Sequence, residues 1–239
     1  MRPGRKLLHS AVLLSAVLLI LVAGCSRDEF SVTKVSMIPM VVATHGDHVR
    51  STLSEGFMLA ISAGPLASED QYQVSVKSPG GSYSWEFFAQ PMDVGGALLL
   101  GKSDLLYPPD IPLESGNWRV EVFLSDGRRF EEALQFVRSE DLFAPVSMEI
   151  ASMRPAEWAT DGNGHQVLYG VDPDSGENWT YAFYDSAGIL LHTLESPLME
   201  ISDGKFSDTG IQEKTASIIA SRFDANLGLF YVVRTLFIT

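Results

Sequence analysis

The segment His45-Gly-Asp-His48 sets two imidazoles and a carboxylate within four residues, ligand types that zinc accepts. Zinc sites take three or four protein ligands, and no third histidine is near in sequence, so His165 or His192 would have to approach through the fold. A second set, Asp172-Pro-Asp174-Ser-Gly176-Glu177-Asn178, preceded by Asp161-Gly-Asn-Gly164, has the oxygen density of loops that hold calcium. The regular twelve-residue calcium loop needs an oxygen ligand at its fifth position and a glutamate at its twelfth, where Gly176 and Phe183 stand. His45, Asp47, His48, Asp172 and Asp174 are thus candidate metal ligands that read better as solvated turns, and no cofactor is expected. Glu55 and the pair Glu131-Glu132 are of acid–base type, but nothing in the sequence sets their separation. The chain has no Gly-x-Ser-x-Gly elbow, no phosphate-binding glycine loop and no His-Glu-x-x-His, so the expectation is a protein that is not an enzyme.

Trp85, Trp118, Trp158 and Trp179 are of the type that lines carbohydrate platforms, but three of them share the apolar parity of predicted strands and read as core. Trp158, in Arg154-Pro-Ala-Glu-Trp-Ala-Thr-Asp-Gly, reads as an exposed loop residue and a candidate partner contact. Asn178-Trp-Thr180 matches a glycosylation sequon formally and reads better as the start of a strand. Ser31-Val-Thr-Lys34, Ser115-Gly-Asn117 and Lys214-Thr-Ala216 resemble, in type and order, the three motifs of penicillin-binding enzymes. The resemblance fails on context: Ser31 opens no helix, the third motif lacks its glycine, and no helical domain is available.

Arg2, Arg5 and Lys6 precede an apolar run over residues 7–22, and the small residues Ala23 and Gly24 precede a polar sequence, which is the layout of a secretory signal peptide. The ending Leu21-Val22-Ala23-Gly24-Cys25 resembles the lipobox of bacterial lipoproteins. That resemblance implies cleavage between Gly24 and Cys25 and acylation of Cys25, which attaches the mature chain to a bilayer. One acyl chain holds a protein only marginally and stable attachment takes two or more; lipoproteins of this type carry three. Ser26 stands where an aspartate would resemble an inner-membrane retention signal, which points to the bacterial outer membrane. Cys25 is the single cysteine, so no internal disulfide staples the fold.

Loss of residues 1–24 removes the three positive charges of Arg2, Arg5 and Lys6 from a chain of net charge −13, leaving −16 over 215 residues. Such a chain is repelled by phosphate backbones, and nucleic-acid binding is not expected. At 46% hydrophobic and 10% aromatic the full sequence has enough apolar surface to build a core.

The body of the chain reads as strands. Residues 26–36 are a polar tether or a first strand starting near Val32; residues 37–42 and 56–62 are strands, with a polar turn at 44–47. Tyr72, Val74 and Val76 alternate with polar residues, Ser78-Pro-Gly-Gly81 turns, and Tyr83, Trp85 and Phe87 alternate back. Trp118, Val120, Val122 and Leu124 reverse at Asp126-Gly127 into Phe130, Leu134 and Phe136, and Asp-Gly between alternating runs is a strong hairpin signal. Residues 179–194 lie without gaps on residues 72–87, with Tyr181 and Phe183 on Val74 and Val76 and Gly188 on Gly81, a weak internal repeat. The run 227–238 is apolar enough for a buried central strand.

The order of strands and the Ser115-Gly-Asn-Trp118 lead into a closing hairpin resemble immunoglobulin-like and fibronectin-type modules of bacterial surface proteins, over residues 33–138. The resulting expectation is an all-β fold of two tandem immunoglobulin-like β-sandwich domains after a cleaved signal peptide. Its boundaries are signal peptide 1–24, lipidated tether 25–32, first sandwich 33–138, linker 139–145 with Ala144-Pro145, and second sandwich 146–239. A small barrel, or a C-terminal strand crossing into the first sheet to make one domain, fits the same pattern. The expected role is a non-enzymatic interaction or spacer module of the cell envelope with an unidentified envelope protein as partner. The alternative is a ligand-binding protein or metal-dependent enzyme with its site between the two halves.

Overall fold

The runs Met40-Val41-Val42-Ala43 and Phe57-Met58-Leu59 are apolar at consecutive positions, as a strand covered on both faces requires. They sit in two 16-residue strands, β1 (Ser31–Gly46) and β2 (Val49–Gly64), paired antiparallel with Val41 opposite Glu55 and Met37 opposite Leu59. A computed structural model of the chain describes residues 30–46, 49–67, 70–94, 96–160, 166–171, 179–196 and 209–237. The hairpin is longer than the sequence pattern predicts. Ser31 and Val32, expected in the tether, already pair with Gly64 and Ala63, and Thr44, expected in a turn, pairs with Thr52. Polar residues continue the ladder here because one face of each strand end meets solvent, where β-branched Val and Thr favour extended backbone without needing burial.

The two hairpins read from alternation are present. β3 (Tyr72–Lys77) and β4 (Ser84–Ala89) place Val74 opposite Phe87 and Val76 opposite Trp85. β5 (Met92–Val94) and β6 (Ala97–Leu106) turn back onto β2. β7 (Gly116–Phe123) and β8 (Arg129–Phe136) reverse at Asp126-Gly127, where Gly127 has φ +86° and donates its N–H to the Leu124 carbonyl at 3.0 Å. β3 also pairs with β7, giving a four-stranded sheet in the order β4-β3-β7-β8.

Residues 139–145, expected as a linker, instead open a helix, α1 (Glu140–Ser152), which carries Pro145 inside it. Proline removes the N–H that would bond the Asp141 carbonyl, and Asp141 is exposed, so water can take that place. Glu140 and Asp141 suit the positive end of the helix dipole. Phe143, Val146 and Ile150 fall on one side and are buried.

Beyond α1, β9 (Glu157–Thr160) and β10 (Gln166–Tyr169) make a two-stranded ribbon. β11 (Trp179–Tyr184) and β12 (Leu190–Ser196) form the third expected hairpin, and a short helix, α2 (Thr209–Lys214), leads to β13 (Ser217–Asp224) and β14 (Leu229–Leu236). β14 lies parallel to β1, Val41 beside Tyr231 and Ala43 beside Val233. β11 to β14 therefore extend the sheet begun by β1 and β2, in the order β12-β11-β13-β14-β1-β2-β6-β5. The apolar last run is central in that sheet, as its composition indicates.

One face of the eight-stranded sheet and one face of the four-stranded sheet close on each other. Phe57 meets Trp118 at 5.1 Å and Trp85 at 5.5 Å between ring centroids, and Tyr107 packs beside Trp85 at 5.5 Å. Farther along the same face α1 packs on β1 and β14, and a single core cluster runs from Val74 and Trp118 through Phe143 to Phe183 and Ile218. The chain is thus built mainly of β-strands, with helix α1 filling part of the layer opposite the large sheet.

Candidate functional site

Strand alternation gives the eight-stranded sheet a second face. Met40, Val42 and Val232 are buried on it, with Met58, Leu106, Ile219 and Phe230 packed around them. Register sets these in rows across the sheet. Phe230 lies beside Met40 and Met40 opposite Gly56, which faces Leu106; Val232 lies beside Val42; Arg234 lies beside Thr44 and opposite Ile219. The face encloses a groove of about 170 Å³ whose walls come from β6 and β2 on one side and from β11 and β13 on the other.

β6 and β11 are five strand positions apart in the sheet, which in a flat sheet separates them by about 24 Å. Their shared groove requires a strong curl, and the local sequence explains it. Between Phe57 and Leu59 the partner strand advances from Leu105 to Lys102, so Ser103 and Asp104 together oppose Met58 in a β-bulge, which bends and twists a strand. Gly56 and Gly101 flank the bulge. A Cβ at Gly56 would stand 2.7 Å from the Leu105 carbonyl oxygen, and one at Gly101 2.6 Å from that of Leu59, so glycine alone permits the two strands to approach this closely.

The groove is apolar through Phe230, Met40 and Leu106, with Ser103 and Asp104 past them at the bulge, and carries Arg234 and Tyr184 toward the other end. The Arg234 Nε is sealed from water with no acceptor. Asp104, beside the bulge, is 3.3 Å from the Lys102 ammonium.

A separate polar junction lies on the core side. Arg138 donates from Nε and an Nη to the two oxygens of Glu55 at 2.7 and 2.6 Å, pairs with Glu140 as well, and stacks over Phe143 at 4.9 Å. Glu55 also accepts the Leu113 N–H at 2.9 Å, and the Arg138 N–H donates to the Ser115 hydroxyl at 2.9 Å. The carboxylate pair raises the Arg138 pKa further above its usual value. Glu55 is therefore committed to a structural ion pair, and Glu131 to Arg119 and Arg129. On α1, Glu149 accepts the Tyr231 hydroxyl at 3.1 Å and meets Arg222 at 3.4 Å; burial and the Glu149 charge push the Tyr231 phenol up to about 12.

Of the candidate metal ligands, His45 lies in β1, half-buried, with Nε2 sealed and without a partner, and burial lowers its pKa. Asp47, His48, Asp172 and Asp174 lie outside the described residues, as do Gly24 and Cys25. Among the described residues no three His, Cys, Asp or Glu side chains gather as a metal site, and no helix is long and apolar enough to cross a membrane. Trp85, Trp118 and Trp179 pack in the core. Trp158, expected in an exposed loop, is in β9, half-buried against the core with its ring 6.2 Å from Phe183, because the ribbon pairs it with Leu168 and lays both on the sheet. Of the three short motifs, Ser31 and Lys34 lie in β1, Ser115–Asn117 begins β7 and Lys214 ends α2. Sequence reading missed Arg234 and the groove. The signal was an arginine inside an otherwise apolar final strand. No family model matches the chain, and no curated protein matches its sequence.

Proposed function

We propose that the mature chain is a non-enzymatic, lipid-anchored protein of the bacterial envelope, held by acylated Cys25 at the outer membrane and acting as an interaction or spacer module for an envelope protein. The observation that carries this reading is the arrangement of Arg2, Arg5 and Lys6, the apolar run 7–22 and Ala23-Gly24-Cys25. Residues 33–138 are read as an immunoglobulin-like sandwich, supported by the two antiparallel layers packed through Phe57 and Trp118; residues 146–239 add strands to one of those layers. Metabolic labelling with a palmitate analogue tests the anchor. The wild-type chain takes up label and loses residues 1–24, whereas Cys25→Ser accumulates as an unlabelled precursor; a labelled, processed Cys25→Ser protein overturns the reading.

A second reading, a ligand-binding envelope protein with its site shared between the two halves, is supported by the groove, whose walls combine Met58 and Leu106 with Ile219 and Phe230.

A further inference from the structure

Arg234 stands in the groove with its Nε withdrawn from water, without an acceptor, and in no ion pair among the described residues. A guanidinium N–H sealed from water ordinarily has an acceptor, and here one of the Arg234 N–H groups has none while the side chain as a whole is half-buried. The chain has 30 acidic side chains against 17 lysines and arginines, so carboxylates are not scarce, yet none is paired with Arg234 among the described residues. Asp104, the one acidic residue in the groove wall, is engaged by Lys102 and stands at the bulge opposite Met58, while Arg234 lies beside Thr44. Met58 and Thr52, the position opposite Thr44, are six residues apart on β2, about 20 Å. The acid and the base are therefore at opposite ends. Between them the wall is Val232, Phe230, Met40 and Leu106, with two methionines whose unbranched side chains adapt to an occupant of variable outline.

The geometry points to a binding site for a free single-chain amphiphile with an anionic head, a fatty carboxylate or its equivalent, its head on Arg234 and its chain laid along β14 toward Met40, Met58 and Leu106. A planar guanidinium takes a carboxylate in a forked, charge-assisted pair. The apolar wall beyond it excludes water from the chain, and from Arg234 to Phe230 it extends about 13 Å along the strand. A wholly apolar ligand would leave Arg234 unmet, and a cationic amphiphile would be repelled by it. This inference deepens the ligand-binding reading by naming the ligand class. It does not depend on the anchor, since loss of acylation in Cys25→Ser leaves the groove as it is.

The test uses the full-length lipidated chain in nanodiscs, empty nanodiscs as blank, and two photoreactive probes, a diazirine-bearing dodecanoate and the matching dodecanol. The expected result is dodecanoate labelling in the groove-lining peptides of β14, β1, β2 and β6, competed by unlabelled dodecanoate. Arg234→Gln lowers that labelling by roughly fivefold or more and brings it to the level of the alcohol probe. Arg234→Lys keeps the charge but cannot form the fork, and its labelling falls between wild type and Arg234→Gln. Circular dichroism confirms that the variants are folded; if Arg234→Gln is not, the acid-against-alcohol comparison on wild type and Arg234→Lys decides alone. Equal labelling by acid and alcohol, labelling only of other peptides or of nanodisc lipid, no labelling, or a groove closed by a second copy of the chain in sedimentation overturns the proposal.

Discussion

Arg138 ties the start of α1 to two parts of the chain that are distant in sequence. Its guanidinium holds Glu55 of β2, 83 residues away, and Glu140 of α1, its ring-stacked plane rests on Phe143, and its backbone N–H reaches Ser115. The side chains of Arg138 and Glu55 are only 14% and 13% exposed, so removal of one leaves the other short of water and short of a partner. Arg138→Ala is expected to lower stability in urea unfolding by about 3 kcal/mol. Arg138→Lys should recover only part of that, because an ammonium cannot span both Glu55 oxygens; a loss under about 0.5 kcal/mol for Arg138→Ala would place the pair among solvent-screened bridges. At this scale the sequence is readable where parity decides and silent where a partner comes from elsewhere. Trp118 and Trp179 follow from alternation. Glu55 reads as one more strand-face carboxylate until Arg138 is beside it. Arg234 reads as a charge in an apolar run, and its role appears only once Thr44 and Ile219 are known to flank it.

Alternation and turn chemistry identified β3, β4, β7, β8, β11 and β12 because each hairpin is closed by contacts within about twenty residues. The turn of the third hairpin, with Asp185 N–H to the Ile189 carbonyl and Gly188 N–H to that of Asp185, repeats the Leu124–Arg128 turn and not the longer one at Ser78–Tyr83. The ungapped overlay of residues 179–194 on 72–87 therefore aligns turns of different length. Helix α1 escaped because Pro145 reads as a stop, whereas the spacing of Phe143, Val146 and Ile150 gives a buried stripe whose direction the acidic first turn fixes. The curl of the large sheet was also hidden, since a bulge is a property of two strands. It makes a definite prediction. Gly56→Ala and Gly101→Ala force a methyl against backbone oxygens across β2 and β6, and each should cost about 1–3 kcal/mol and loosen the groove. Gly46→Ala meets nothing within 4 Å and should stay within about 0.5 kcal/mol in the same urea titration. Equal tolerance at all three positions would assign the curl to the bulge alone.

At the scale of the whole molecule the decisive pairing is the parallel ladder from Met40 beside Phe230 to Gly46 beside Leu236. Pro39 precedes the first of these pairs, so β1 is joined on its second side only where its backbone can donate throughout. The sequence allows a C-terminal strand crossing into the first sheet as an alternative, and this ladder is that crossing; no local pattern selects it, because its two strands are separated by nearly the whole chain and both read as apolar runs that any neighbour would satisfy. Once made, it gives the two expected halves a common sheet, and α1 seals that sheet through Glu149, Tyr231 and Arg222. A fragment of residues 26–138 would keep the Phe57–Trp85–Trp118 contacts but lose β14, exposing the Met40–Gly46 edge and its run of apolar side chains. Unprotected edges of that kind template further strand pairing. The fragment is therefore expected to associate into β-rich aggregates at concentrations where the chain of residues 26–239 stays dispersed. The longer chain should unfold in urea with coincident tryptophan-fluorescence and circular-dichroism transitions. A monomeric 26–138 fragment with its own cooperative transition would instead make the first half a self-sufficient sandwich, with β14 an addition to it, and would return the boundary near residue 139 to a true division between domains.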